Sequence, residues 1–162
     1  MMKTEQNVTL ENVFVIPNSR GLAWRDFAGV NSGAGNPSFV IRISEEQGHM
    51  LEELGGYNVK WPKDEWVRNN PDKAPNPSLK VIASYRYFAP EIRVKVNGEI
   101  INFTKEDLAD LDNARISYAA VVVRGTEVTF NGRKTYAAYL QEAYFELEQP
   151  RASLNDLIAD RM

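Results

Sequence analysis

Cysteine is absent from the 162 residues and histidine occurs once, at His49. The first absence excludes disulfides, thiolate nucleophiles and cysteine zinc sites. The second makes any Ser-His-Asp arrangement depend on His49, and no nucleophile-elbow motif exists to partner it. Glu45, Glu52 and Glu53 surround His49 on the polar side of an expected helix, so it reads as a surface residue without a catalytic or metal role. Long apolar runs are lacking too. The longest, Tyr118 to Val123, falls far short of the roughly 20 residues of a membrane helix. Met1 to Asn7 has no apolar signal-peptide core, so a cytosolic protein is expected. A large charge of one sign is missing as well, the formal net charge being −3.

The glycines of Gly29-Val-Asn-Ser-Gly-Ala-Gly35 precede no Gly-Lys-Ser/Thr and no helix signal, so they read as a loop and not a phosphate cradle. Asp107, Asp110 and Asp112 would suit a magnesium nuclease, but helix capping and solvation already account for them. The expectation is no catalytic residue, no metal and no cofactor.

What is present is an ordinary globular balance, with 43% hydrophobic, 10% aromatic and 25% charged residues. Such a chain buries roughly 70% of its unfolded surface and needs no covalent staple. Charge is segregated along it. Residues 60–95 hold eight basic against four acidic side chains, between two stretches, 44–59 and 96–112, that each carry −4. A weakly acidic protein still binds a polyanion when its cations share one surface, because screening confines each charge to about 8–10 Å. The same pattern also fits alternating solvated faces.

Strand signals dominate. Val8 to Ile16 and Ser38 to Ile43 read as strands, the second with Phe39, Ile41 and Ile43 inward and Arg42 outward. Ser44-Glu-Glu-Gln47 is a capping box opening a short helix with Met50, Leu51 and Leu54 on one face, stopped by Gly55-Gly56. Leu79 to Phe88 alternates as a strand carrying Lys80 and Arg86 on one face. Asn97-Gly98 predicts a hairpin between Ile92–Val96 and Glu99–Phe103, with Ile92, Val94, Ile101 and Phe103 on one side and Arg93 and Lys95 on the other. Thr104 caps a second short helix with Leu108 and Leu111. Asn131-Gly132 predicts a hairpin with very long arms, about Ala114 to Phe130 and Arg133 to Glu148, in which Gly125 is a natural bulge.

Two connectors stand out. Residues 17–37 carry Trp24, Arg25 and Phe27, more aromatic than a simple link requires. Residues 57–77 hold four of the eight prolines, two of the three tryptophans and four basic residues without a clear period. Tryptophan among lysines fits stacking on nucleobases with phosphate neutralisation; it equally fits indoles that staple a proline-rich loop to the core.

The element order is mainly β with short helices and approximates an OB-fold-like five-stranded Greek-key barrel with an extended β-hairpin. The expected domain is 1–149, followed by a tail, 150–162, in which Ser153-Leu-Asn-Asp156 signals a cap for a last short helix. On the OB plan a ligand lies across strands two and three, between the first and last connecting loops.

The blocks WRDFAG, YNVKW, LKVIASYRYFAPEIRV and NGRKTYAAYLQEAYFELE, in this order, resemble those of bacteriophage-type OB-fold single-stranded DNA-binding proteins over most of residues 8–148. Two features depart from that pattern: the basic insertion at 62–77, and a tail in which Arg151 and Arg161 offset Asp156 and Asp160, where many such proteins end acidic. The resemblance implies sequence-tolerant binding of single-stranded DNA in phage-type replication or recombination, with replication or recombination proteins as further partners. If phage-encoded, the protein works in the bacterial host cytoplasm.

On that reading Arg25, Arg42, Lys60, Lys80, Arg86, Arg93, Arg124 and Lys134 neutralise phosphates, while Trp24, Phe27, Trp61, Tyr136 and Tyr139 stack on bases. A bulge at Gly125 would reverse the faces beyond it, so Tyr136 and Tyr139 do not both qualify, and Tyr85, Tyr118 and Phe145, with Phe27 as a further candidate, suit the core better. Two other classes remain open: a non-enzymatic virion or protein-interaction β-barrel, and an oligosaccharide binder that stacks sugars on tryptophan. An exposed edge strand would also allow protomers to pair as a homo-oligomer.

Overall fold

The computed structural model describes residues 6–19, 21–31, 35–55, 57–86 and 88–148. The expected tail and Tyr87 lie outside them. The strands are β1 (Asn7–Leu10), β2 (Phe14–Val15), β3 (Arg25–Asp26), β4 (Ser38–Arg42), β5 (Val59–Lys60), β6 (Ser78–Ile82), β7 (Glu91–Val96), β8 (Glu99–Phe103), β9 (Ile116–Phe130) and β10 (Arg133–Leu147). Helix α1 (Glu45–Gly55) follows β4, α2 (Asp64–Asn69) follows β5, and a 3-10 helix (Lys105–Asp112) links β8 to β9.

One sheet runs in the order β1-β9-β10-β6-β4-β2. Its two ends are halves of one segment, because β1 pairs β9 and β2 pairs β4. The expected strand Val8–Ile16 is thus broken where Asn12 adopts φ 52°, a conformation that asparagine tolerates and that bends the chain from one neighbour to the other. The path returns on itself, with β6 and β10 parallel and the other neighbours antiparallel. This is the OB-like order expected from the sequence, with the β7–β8 hairpin attached to the far end of β10.

Alternation explains the interior. Phe39 and Ile41 of β4, Leu79 and Val81 of β6, and Val121 and Val123 of β9 are buried. Phe39 stacks on Phe27 at 4.8 Å, and both meet the edge of Phe145. The two Asn-Gly turns place Asn97 and Asn131 at φ 53° and 51°, followed by glycines also at positive φ, as tight hairpins require. Both caps form: Gln47 N–H donates to Ser44 Oγ at 3.1 Å while Ser44 N–H donates to Gln47 Oε1 at 3.0 Å, and the Thr104 N–H and hydroxyl donate to Asp107 Oδ2 at 2.8 and 3.0 Å.

Several expectations need correction. The register of the long hairpin shifts between Leu140 and Glu142 and again between Glu146 and Leu147, not at Gly125, which is buried and paired in register with Ala138. A small residue was the only sequence signal for a bulge, whereas the ladder breaks where β10 leaves β6 and takes up β7 as its second neighbour. Regular β6 ends at Ile82, so Ser84 and Arg86 belong to the segment after the strand. The 57–77 connector contains β5 and α2. The β7–β8 pairing is as expected, with Val94 opposite Ile101 and Ile92 opposite Phe103, and Ile101 is 44% exposed because β8 pairs only β7.

Candidate nucleic-acid interface

The outward faces of β4 and β6 form the centre of the site. Register places Arg42 opposite Ser78, Val40 opposite Lys80 and Ser38 opposite Ile82. The first row extends to Phe14 on β2 and to Lys60 on β5. The third extends through Tyr139 on β10 to Arg124 on β9. Cations and aromatics from six strands thereby share one surface, although they are scattered along the chain from position 14 to position 139.

At one end of this surface a cavity of about 740 Å³ is lined by Trp24, Arg42, Lys60, Trp61, Lys63, Trp66 and Lys73. These include every tryptophan of the chain. Trp61 is held from behind by α1: His49 lies over it at 4.7 Å, and at Gly48 a Cβ would come within 3.0 Å of the indole and 2.7 Å of Pro77. Only glycine allows this approach. Trp66 stands on α2, a helix with no buried residue, and is 40% exposed. Arg42 donates to the Asn76 carbonyl at 3.1 Å, which ties β4 to the end of the insertion. Among the described residues no carboxylate lines this cavity.

Lys80 and Trp24 line a smaller depression next to it. Beyond that, a cleft of about 720 Å³ is formed by Tyr85, Arg86, Phe88, Lys105, Arg124 and Tyr139, among others. Phe88 is 87% exposed. The Lys105 ammonium stands 5.6 Å from the centre of the Tyr85 ring. Burial pushes the Tyr85 phenol above its ordinary pKa, and Glu106 adds to the rise. The phenol therefore stays neutral at physiological pH, and its hydroxyl is buried without a partner among the described residues.

Two of the proposed contacts are buried. Arg25 is 5% exposed and its guanidinium donates to four carbonyls: Nε to Ile16 at 3.2 Å, Nη1 to Leu111 at 3.0 Å and Ala114 at 2.6 Å, and Nη2 to Val15 at 3.1 Å. Burial lowers its pKa, and the nearby Asp112 charge opposes that shift. It is a tie between the N-terminal segment and the end of the 3-10 helix, where the free carbonyls favour a cation. Phe27 is 2% exposed, part of the phenylalanine cluster, so it cannot stack on a base.

The remaining positions sort by place. Trp24, Arg42, Lys60 and Trp61 meet in the cavity; Lys80 lies between; Arg86, Arg124 and Tyr139 meet in the cleft. Arg93 is elsewhere, beside Tyr144 in register and 3.1 Å from Glu91. Lys134 lies near the hairpin turn, 3.4 Å from Glu127. Tyr136 shares its strand face with the buried Ala138 and neighbours Tyr57 through an isolated bridge, so of the two tyrosines it is Tyr139 that reaches the outer surface. Sequence reasoning missed Phe14, Lys63, Trp66, Lys73, Phe88 and Lys105 as site residues. Phe14 alternates with the buried Val15, a visible signal, whereas nothing local marks Phe88 as exposed.

A family profile described as "Putative phage ssDNA-binding domain" matches residues 2–159. The structure of the single-stranded DNA-binding protein from bacteriophage Enc34 with a C-terminal truncation is similar at TM-score 0.55 and 11% identity, over 90% of this chain and 88% of that one. A second structure of that phage protein is similar at TM-score 0.52 and 11% identity, over 94% and 89%. No curated protein sequence matches. The structural likeness is one of fold, and the profile spans nearly the whole chain: the chain belongs to the phage ssDNA-binding domain family.

Proposed function

We propose that the protein binds single-stranded DNA without reading sequence, on the outward face of β4, β6, β10 and β9, and that it does so in phage DNA replication or recombination in the host cytoplasm. The observation that carries this reading is the row of cations and aromatics along that face, Arg42, Lys80 and Arg124 with Trp24 and Tyr139, in a protein whose net charge is −3. A net acidic protein that brings several cations together on one face has a reason to meet a polyanion there. Family membership and the OB-like fold agree with it.

The chemistry is physical, not covalent. Lysine and arginine replace counterions on the phosphates, and the aromatic faces stack on bases that a duplex keeps hidden, at about 1–3 kcal/mol for each base. Single strands are therefore preferred over duplex without any contact to base edges. Titrating labelled oligo-dT by fluorescence anisotropy at two salt concentrations, with duplex of equal length as competitor, tests this. If about five phosphates are neutralised, the log-log salt slope is near −3.5. Salt-insensitive binding, or equal competition by duplex, would overturn the proposal.

A further inference from the structure

We infer that the tryptophan cavity is a second base-binding centre, which holds one nucleotide of a single strand whose backbone runs on over Lys80 to the cleft at Tyr139. The inference rests on the proposed single-strand reading and adds to it a minimum ligand length: a strand gains full affinity only when it reaches both centres.

Three observations carry it. The cavity gathers all three indoles of the chain, and its charged lining residues among those described are all cations, so it is complementary to a base with its phosphate and not to a neutral ring alone. One indole is rigid and one is open: Trp61 is braced by Gly48 and His49, while Trp66 stands 40% exposed on α2. A stacking partner can therefore enter beside a preformed face, which lowers the ordering cost of binding. Finally, the cavity and the cleft are ends of one surface: Trp24 lines both the cavity and the depression that contains Lys80, and Ser38 of that depression lies in register with Ile82, which pairs with Tyr139 of the cleft.

The distance between the centres follows from the register. Arg42 and Ser38 are four residues apart on β4, and three strand spacings separate β4 from Arg124 on β9. At about 3.3 Å per residue and about 4.8 Å per strand the diagonal is about 20 Å. A stacked strand rising about 3.4 Å per nucleotide along its axis covers that with about six nucleotides.

The position of the tryptophans also supplies the test, since indole emission reports the cavity while anisotropy of a labelled strand reports total binding. The full chain is titrated with oligo-dT of about four and about sixteen residues, bracketing the range of an OB fold. With the long strand, quenching and anisotropy should share one midpoint, and Trp66→Ala and Tyr139→Ala should each weaken binding about tenfold. With the short strand either substitution alone should cost about twofold at most, because the strand moves to the other centre, while the two together should nearly abolish binding. Lys63→Gln offers a variant that leaves the indoles intact and should flatten the salt slope for the long strand by about 0.7. Long-strand binding that leaves indole emission unchanged, or that Trp66→Ala does not weaken, overturns the second centre and spares the single-strand reading. No salt-sensitive binding of either strand by the unmodified protein overturns both.

Discussion

The connectors 17–37 and 57–77 look alike in composition, each with tryptophan beside basic residues, yet the fold uses them in opposite ways. In the first, Arg25 and Phe27 point inward. Asp112 accepts from the Phe27 and Ala28 amides at 2.6 and 3.3 Å, and Asp26 accepts from those of Val30 and Asn31, so the loop is anchored by carboxylates, and of Trp24, Arg25 and Phe27 it is Trp24 that lines the cavity. In the second, α2 buries nothing, and its tryptophan and the surrounding lysines line an open cavity. Composition identifies side chains able to bind a nucleic acid; strand parity and the position of backbone carbonyls decide which of them are free to do so.

The sharpest way to break this comparison is to truncate one aromatic from each connector. Phe27→Ala should cost about 3–5 kcal/mol in urea unfolding, since it empties the centre of the phenylalanine cluster. A stability loss under 1 kcal/mol, with DNA affinity gone, would place Phe27 back at the surface. Next, Arg25→Met should destabilise by about 3 kcal/mol, because four buried carbonyls lose their charged donor, and the folded fraction should keep the parent salt slope for oligo-dT. A flatter slope would mean that the guanidinium does meet phosphate.

Trp66→Ala, by contrast, should change stability by only about 0.5 kcal/mol, as expected for a partly exposed residue on a helix without buried contacts. A thermal melt distinguishes this from a structural staple, for which the loss would be several-fold larger. The smallest effect is expected of Lys80→Gln, with no measurable change in stability and a salt slope flatter by about 0.7. Equal slopes for the parent and this variant would remove Lys80 from the path between the two centres.

Much of the fold is legible because its signals are local. Asn131-Gly132 specifies its turn through two positive φ values, and the arms around it, expected at about 114–130 and 133–148, form at Ile116–Phe130 and Arg133–Leu147. Ser44 with Gln47 and Thr104 with Asp107 close their caps within four residues. The site is legible in part for the same reason: alternation sends Arg42 and Lys80 outward beside the buried Ile41 and Val81. Trp66, Lys63 and Lys73 were harder to assign, since the 57–77 stretch has no period from which to read a face.

By itself, then, the sequence determined the strands, the two tight hairpins and the kind of ligand its aromatic and basic residues suit, because turns, caps and alternation are settled by neighbours a few residues apart. Only the tertiary structure decided that Arg25 would spend its charge on the carbonyls of Leu111 and Ala114, that the ladder would slip at Gln141 and not at Gly125, and that Trp24, Trp61 and Trp66 would face one cavity. Each of these depends on partners tens of residues away, whose position no local pattern encodes until the sheet has closed.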